Sequence, residues 1–189
     1  MKKNRLILIL IFVLFSCQQI ETLDKFTFNY ELLPKLTIAA EQKNITSLYE
    51  PNFVDPYIDH SLLNSPEKIL NNWINNNISI FGLENNITIN IIDASVKKSE
   101  IPNIDKKKYE DKIINLFEVM YLVEFILYDD YNNVIANSIV EAKSSITSRK
   151  RISLNENQKI IDELIYNCLY DFTNKSKELI NIHMKNFIL

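Results

Sequence analysis

Asp59-His60, Asp93, Cys17 and Cys168 are the residues of this chain whose types do chemistry in other proteins. Asp59 beside His60 offers a carboxylate next to an imidazole, a pair suited to metal binding or to proton transfer. Neither chemistry is completed. The chain has two histidines, His60 and His183, and no further ligand stands at a metal-binding spacing from the pair. The expectation for this loop is structural: His60 bonds to backbone and Asp59 caps a turn. Asp93, in Ile92-Asp93-Ala94-Ser95-Val96, lies where an apolar alternation changes face. It is expected to hold a bulge by bonding nearby backbone. There is no HExxH, CxxC or GxSxG, and with one glycine in the chain a phosphate cradle of close backbone approach is excluded. No catalytic residue, metal ligand or cofactor site is therefore assigned, and an enzyme is not expected.

Cys17 stands in a different setting. Lys2, Lys3 and Arg5 precede an apolar run, Leu6 to Phe15, and the chain then turns polar at Gln18-Gln19-Ile20-Glu21-Thr22. Cations ahead of a short apolar core are the order of a secretory signal. Crossing a bilayer takes roughly 20 apolar residues, and this run has about half that number. Export is expected rather than a stable span. Leu14-Phe15-Ser16-Cys17 resembles the lipobox of bacterial lipoproteins, in which an apolar residue sits three before the cysteine and a small one directly before it. Leu14 and Ser16 match; Phe15 is bulkier than the residue usual at its place. The resemblance implies that residues 1–16 are removed as a signal peptide. It also implies that the Cys17 thiol is diacylated and that the new amino terminus is acylated too, with palmitate as a representative chain. One acyl chain holds a protein marginally, at ~0.8 kcal/mol per buried methylene; two or three chains on one cysteine give stable attachment.

The formal charge of −3 includes the three cations of the signal and none of the acids, so cleavage leaves a mature chain near −6. A mildly acidic protein has no general attraction for nucleic acid or anionic headgroups. The membrane contact is expected to rest on acylated Cys17, with no nucleic-acid partner. Acylation also leaves Cys168 without a disulfide partner. It lies on the apolar face of a predicted helix, where free cysteine acts as a small buried hydrophobe. Residues 17–25 read as a tether and 26–189 as a single domain, long enough to bury one core without disulfides.

The elements that position these residues follow from periodicity. Phe26 to Tyr30 alternates and predicts a strand, as do Leu36, Ile38 and Ala40; Ile45 to Tyr49 continues that edge after a break at Gln42-Lys43-Asn44. Ser65-Pro66-Glu67 has the residues of a helix start. The helix is expected to run over 66–81 with Trp73 in its core face and to end at Gly82, in the left-handed conformation of a helix cap. Ile87, Ile89 and Ile91 give a strand whose alternation moves onto Ala94 and Val96, which predicts a bulge near Ile91-Ile92. Ile101 to Lys108 reads as irregular and Tyr109 to Asn115 as one or two helical turns. Phe117–Tyr128, the turn Asp129 to Asn133 and Val134–Thr147 predict a hairpin. Ser153-Leu154-Asn155-Glu156 has the spacing of a capping box and opens a helix expected to reach Phe187, about 45 Å long. Its second half is expected to project or kink. Tyr166 and Tyr170 read as amphipathic surface. The fold class is α+β: a β-α-β-β-α sheet with helices on one face and a long C-terminal helix.

Asp55-Pro56-Tyr57-Ile58-Asp59-His60, Ser65-Pro66-Glu67 with Trp73, and Asp93-Ala94-Ser95-Val96 together resemble a family of uncharacterised alphaproteobacterial lipoproteins. That family is Arg-, Ala- and Gly-rich, and lysine-rich Ile104 to Lys112 replaces an aromatic or glycine-rich segment there. The resemblance implies a place and a fold: a periplasmic α+β domain of the cell envelope. Such lipoproteins are also similar in architecture to auxiliary lipoproteins of lipid or lipopolysaccharide transport. The expected role is a non-catalytic accessory or adaptor subunit with an envelope protein as partner. Gln18 after the cysteine points to the outer membrane, with the domain facing the periplasm. The alternative is a lipid- or small-molecule-binding module, with a groove between the long helix and the Phe117–Tyr128/Val134–Thr147 pair.

Overall fold

A computed structural model describes residues 26–104 and 106–189. The signal, Cys17 and the tether lie outside the described residues. Among the described residues six strands and two helices follow in the order β1 (Leu36–Ile38), β2 (Gln42–Ser47), α1 (Pro66–Asn77), β3 (Ile78–Ile80), β4 (Asn86–Pro102), β5 (Ile113–Tyr128), β6 (Val134–Arg149) and α2 (Leu154–His183). The class is α+β. The main sheet has the order β2-β4-β5-β6, with β2 parallel to β4 and the other neighbours antiparallel. The parallel pair is broken along its length: β1 and β3 form a separate two-stranded parallel ladder.

Register explains which side chains go inside. Ile87, Ile89 and Ile91 of β4 face the core until the register shifts between Ile91 and Asp93; beyond it Ala94 and Val96 take over. On β5 every second residue from Phe117 to Leu127 is buried, and Val140 and Ala142 continue the layer on β6. Both helices cover this one face. Phe172 of α2 meets Trp73 of α1 edge-on, with ring centroids 5.9 Å apart, and lies 5.7 Å from the Tyr121 ring of β5. The other face of the sheet carries no helix among the described residues.

α1 starts where its residues dictate, with the Ser65 hydroxyl accepting from the Lys68 amide and Pro66 in the first turn. It ends at Asn77, four residues before the expected end, because β-branched Ile78 and Ile80 pair with β1 instead. Gly82 lies beyond β3 and is not in the left-handed region. Its backbone passes close to Ala39 and Ala40; a Cβ there would stand 3.0 Å from the Ala40 amide nitrogen. Close approach, not helix capping, is what glycine serves here.

Three other segments differ from the periodicity. Phe26 to Tyr30 is not a strand, because α1 takes up the carbonyls of this region: Asn77 Nδ2 donates to Tyr30 and Leu33, and Trp73 Nε1 donates to Pro34. Gln42-Lys43-Asn44 is part of β2, not a break. Lys43 points inward, but its ammonium donates to the carbonyls of Ile74 at 3.1 Å and Ile78 at 2.7 Å, at the negative end of α1. Ile113 to Asn115 extends β5 rather than a helix, since β4 runs on to Pro102 and offers a pairing edge.

α2 is one 30-residue helix, with the Ser153 hydroxyl accepting from the Glu156 amide. Its second half stays on the domain, with Ser176, Ile180 and Met184 buried. The chain then returns: the Ala39 amide donates to the Phe187 carbonyl and the Leu189 amide to the Thr37 carbonyl, so residues 187–189 lie against β1.

Candidate functional site

The loop between β2 and α1 is laid along β4. The Ile58 amide donates to Val96, the Lys98 amide to Pro56, and Tyr57 bridges Lys97. This continues the edge that β2 covers up to Ile91 and delivers Asp59 and His60 to a cavity of ≈ 290 Å³ lined by Tyr49, Phe53, Leu62, Glu67 and Ala94, among others. The Tyr49 hydroxyl donates to Asp59 Oδ2 at 2.8 Å. Burial, first, and this carboxylate partner push the Tyr49 hydroxyl far above its ordinary range. Asp59 is 2% exposed and its Oδ1 has no partner among the described residues. The His60 ring pairs Nδ1 with the Asn52 carbonyl at 3.1 Å and stacks obliquely on Phe53. His60 bonds backbone as its loop position suggested. Asp59 does not cap a turn with its side chain; it is a buried acceptor for a tyrosine far along the chain.

Of the remaining sequence candidates only Asp93 is near this cavity, where its charge adds to the rise at Tyr49. Asp93 Oδ1 accepts from the Ser95 amide at 2.9 Å and so stitches its own bulge. Cys168 is fully buried; its thiol donates to the Val119 carbonyl, and burial pushes it up to about 11. A thiol of this kind is a packing group rather than a nucleophile. Trp73 is core. Tyr166 receives Phe26 and Phe28 in edge and tilted ring contacts and donates to the Asn29 carbonyl, which fixes where the N-terminal segment joins the domain. Tyr170 is surface. No cluster of three metal-ligating side chains occurs among the described residues. No helix among them is long and apolar enough to cross a membrane.

The sheet face left open by helices expected on one side only is uncovered here, and what periodicity did not spell out is its lining. Leu116, Met120, Leu122, Ile126 and Tyr128 run half-buried down β5, and Ile139 of β6 is 55% exposed. Glu118 and Glu124 interrupt this stripe, Asn90 donating to Glu124, and the Lys143–Glu141 pair lies beside it on β6. A shallow cavity of ≈ 190 Å³ opens on the same face near Ser95, Met120 and Lys143. The signal for it was the apolar outward set on β5 opposite the core set.

The groove expected between α2 and the β5–β6 pair is filled, since Leu164, Ile165, Cys168, Leu169 and Phe172 bury against the sheet with Val140 and Ala142.

No protein-family model matches the chain, and no curated protein matches it. Several solved structures are similar to it in part. A minor lipoprotein from Acinetobacter baumannii aligns at 10% identity and TM-score 0.42, over 77% of this chain and 96% of that one. Rare lipoprotein B from Shewanella oneidensis aligns at 14% identity and TM-score 0.39, over 75% and 96%. A neuraminyllactose-binding hemagglutinin homolog from Helicobacter pylori aligns at 15% identity and TM-score 0.47, over 86% and 95%. A likeness of this extent says nothing of what the chain binds.

Proposed function

We propose that this chain is a lipid-anchored lipoprotein of the bacterial envelope that serves as a non-catalytic accessory or adaptor subunit. One observation carries the reading: Leu14-Phe15-Ser16-Cys17 behind a cationic start and a short apolar run. Acylated Cys17 holds the mature chain at the membrane, and residues 17–25 tether the domain on the periplasmic side, with Gln18 favouring the outer membrane. The resemblance to alphaproteobacterial lipoproteins belongs to the same reading. The uncovered sheet face, largely apolar along β5 with Glu118 and Glu124 set into it, supports a protein partner as the thing adapted.

Metabolic labelling with palmitate tests the anchor. Wild type takes up label and sediments with membranes; the Cys17→Ala chain does neither, and label retained by that variant defeats the reading. Ile139→Glu with Leu122→Glu tests the adaptor surface, since a partner recovered with wild type is lost with the double variant.

The alternative of a small-molecule module keeps one observation in its favour, the unpartnered buried Asp59 Oδ1 beside the loop cavity. A soluble-extract mass spectrum with no small molecule retained by the purified protein would remove it.

A further inference from the structure

Arg149 and Arg151 are the only arginines after Arg5, in a chain that otherwise uses lysine. Both line one open cavity of ≈ 620 Å³ at the end of β6, with Tyr109, Glu110 and Asp111 from the β4–β5 connection. Neither guanidinium makes an ion pair or a side-chain hydrogen bond among the described residues. Glu110 is occupied, accepting from the Lys107 amide, and Lys150 between the arginines pairs with Glu100 at 2.8 Å. Lys106 to Lys108 and Lys112 stand on the same connection. Counted with the run Arg149-Lys150-Arg151, seven cations meet four carboxylates (Glu100, Asp105, Glu110, Asp111), inside a chain whose formal charge is −3. Among these cations two large apolar side chains project: Ile104 is 91% and Tyr109 92% exposed.

Unpaired arginine forks are the side chains best matched to phosphate oxygens. A tyrosine and an isoleucine at the rim of a cationic patch suit the boundary between headgroups and acyl chains. Reach is sufficient. The N-terminal segment joins the domain at Tyr166, about 18 Å along α2 from Leu154. Leu154 follows Arg151 by three residues, and the stretch from Cys17 to Phe26 spans up to about 30 Å. The membrane that holds Cys17 is thus within range of the arginines.

We propose that this end of the domain docks on the membrane surface, with Arg149 and Arg151 taking the phosphate of an anionic phospholipid and Ile104 and Tyr109 entering the headgroup layer. This deepens, and rests on, the reading of Cys17 as the anchor. It also revises the expectation from overall charge, because attraction to headgroups is local here.

The test uses the mature chain, residues 17–189 with Cys17→Ser, which carries no acyl group and keeps every core residue from Leu33 to Met184. It is sedimented with vesicles of phosphatidylglycerol and phosphatidylcholine, or of phosphatidylcholine alone. Binding is expected to the anionic vesicles only and to fade as salt rises. Arg149→Gln with Arg151→Gln weakens it roughly tenfold or more, Ile104→Ser with Tyr109→Ser weakens it without changing its salt dependence, and distal Lys185→Gln leaves it unchanged. Equal binding to both vesicles, or an arginine variant that binds like wild type, overturns the proposal. So does inorganic phosphate bound by the arginines with no vesicle binding, which would make this a free-anion site. Palmitate labelling reads Cys17 and sedimentation reads the tip, so the two readings fail separately.

Discussion

At the scale of the residue, two buried groups tie stability to pH and a third holds a loop by a hydrogen bond. Burial holds the Asp162 carboxyl above its ordinary 3.8, against the opposing bonds from Gln158 and Asn64. A raised folded value means its favourable contribution is complete below pH 3.8 and is lost as pH rises through the folded value. Asp162→Asn keeps an acceptor for Gln158 and cannot ionise. It should raise the melting temperature at neutral pH, with the gain vanishing below pH 3.8 in a thermal series. Cys168 has the same sign at the alkaline end. Burial raises its thiol from 9.0 to about 11, so its contribution is complete below pH 9 and about 2 kcal/mol of stability is lost by pH 11. Denaturant melts from pH 8 to 11 should show that loss in wild type and a flatter response in Cys168→Ala. Tyr49→Phe removes the donor to Asp59 Oδ2 and leaves a second buried oxygen bare. About 1–3 kcal/mol should be lost, read as a lower denaturant midpoint. Sequence alone placed Cys168 in the core and Asp93 at its bulge, because one follows a helix stripe and the other bonds locally. It gave no sign of Tyr49–Asp59, since that contact is made by a loop folded back on β4.

At the scale of the element, the close pass of Gly82 against Ala39 and Ala40 joins the two halves of the broken parallel pair. Gly82→Ala sets a methyl group against backbone that has no side-chain freedom to yield, and should cost about 1–3 kcal/mol. The variant's melting temperature checks this. Removing residues 185–189 takes away the Phe187 carbonyl, so the Ala39 amide should lose hydrogen-exchange protection while amides of β5 keep theirs. Elements whose pattern is local were legible beforehand: the Ser65 and Ser153 starts, the β5–β6 hairpin and the bulge after Ile91. Those missed have distant causes. Lys43 looks like a strand breaker until the end of α1 supplies its acceptors, and Phe26 to Tyr30 looks like a strand until Trp73 and Asn77 claim the carbonyls near it.

At the scale of the whole molecule, a single core joins both helices and the inner sheet face, with Trp73, the one tryptophan, at its centre. Fluorescence of that residue and far-UV circular dichroism should therefore trace one coincident unfolding transition. Two separated transitions would show that the β1–β3 ladder or α2 folds as its own unit. The return of residues 187–189 gives β1 a neighbour on each side, β3 on one and this segment on the other. Leu36 to Ile38 are thus clasped between two stretches far along the chain, and an edge that could recruit a foreign strand is closed by the domain itself.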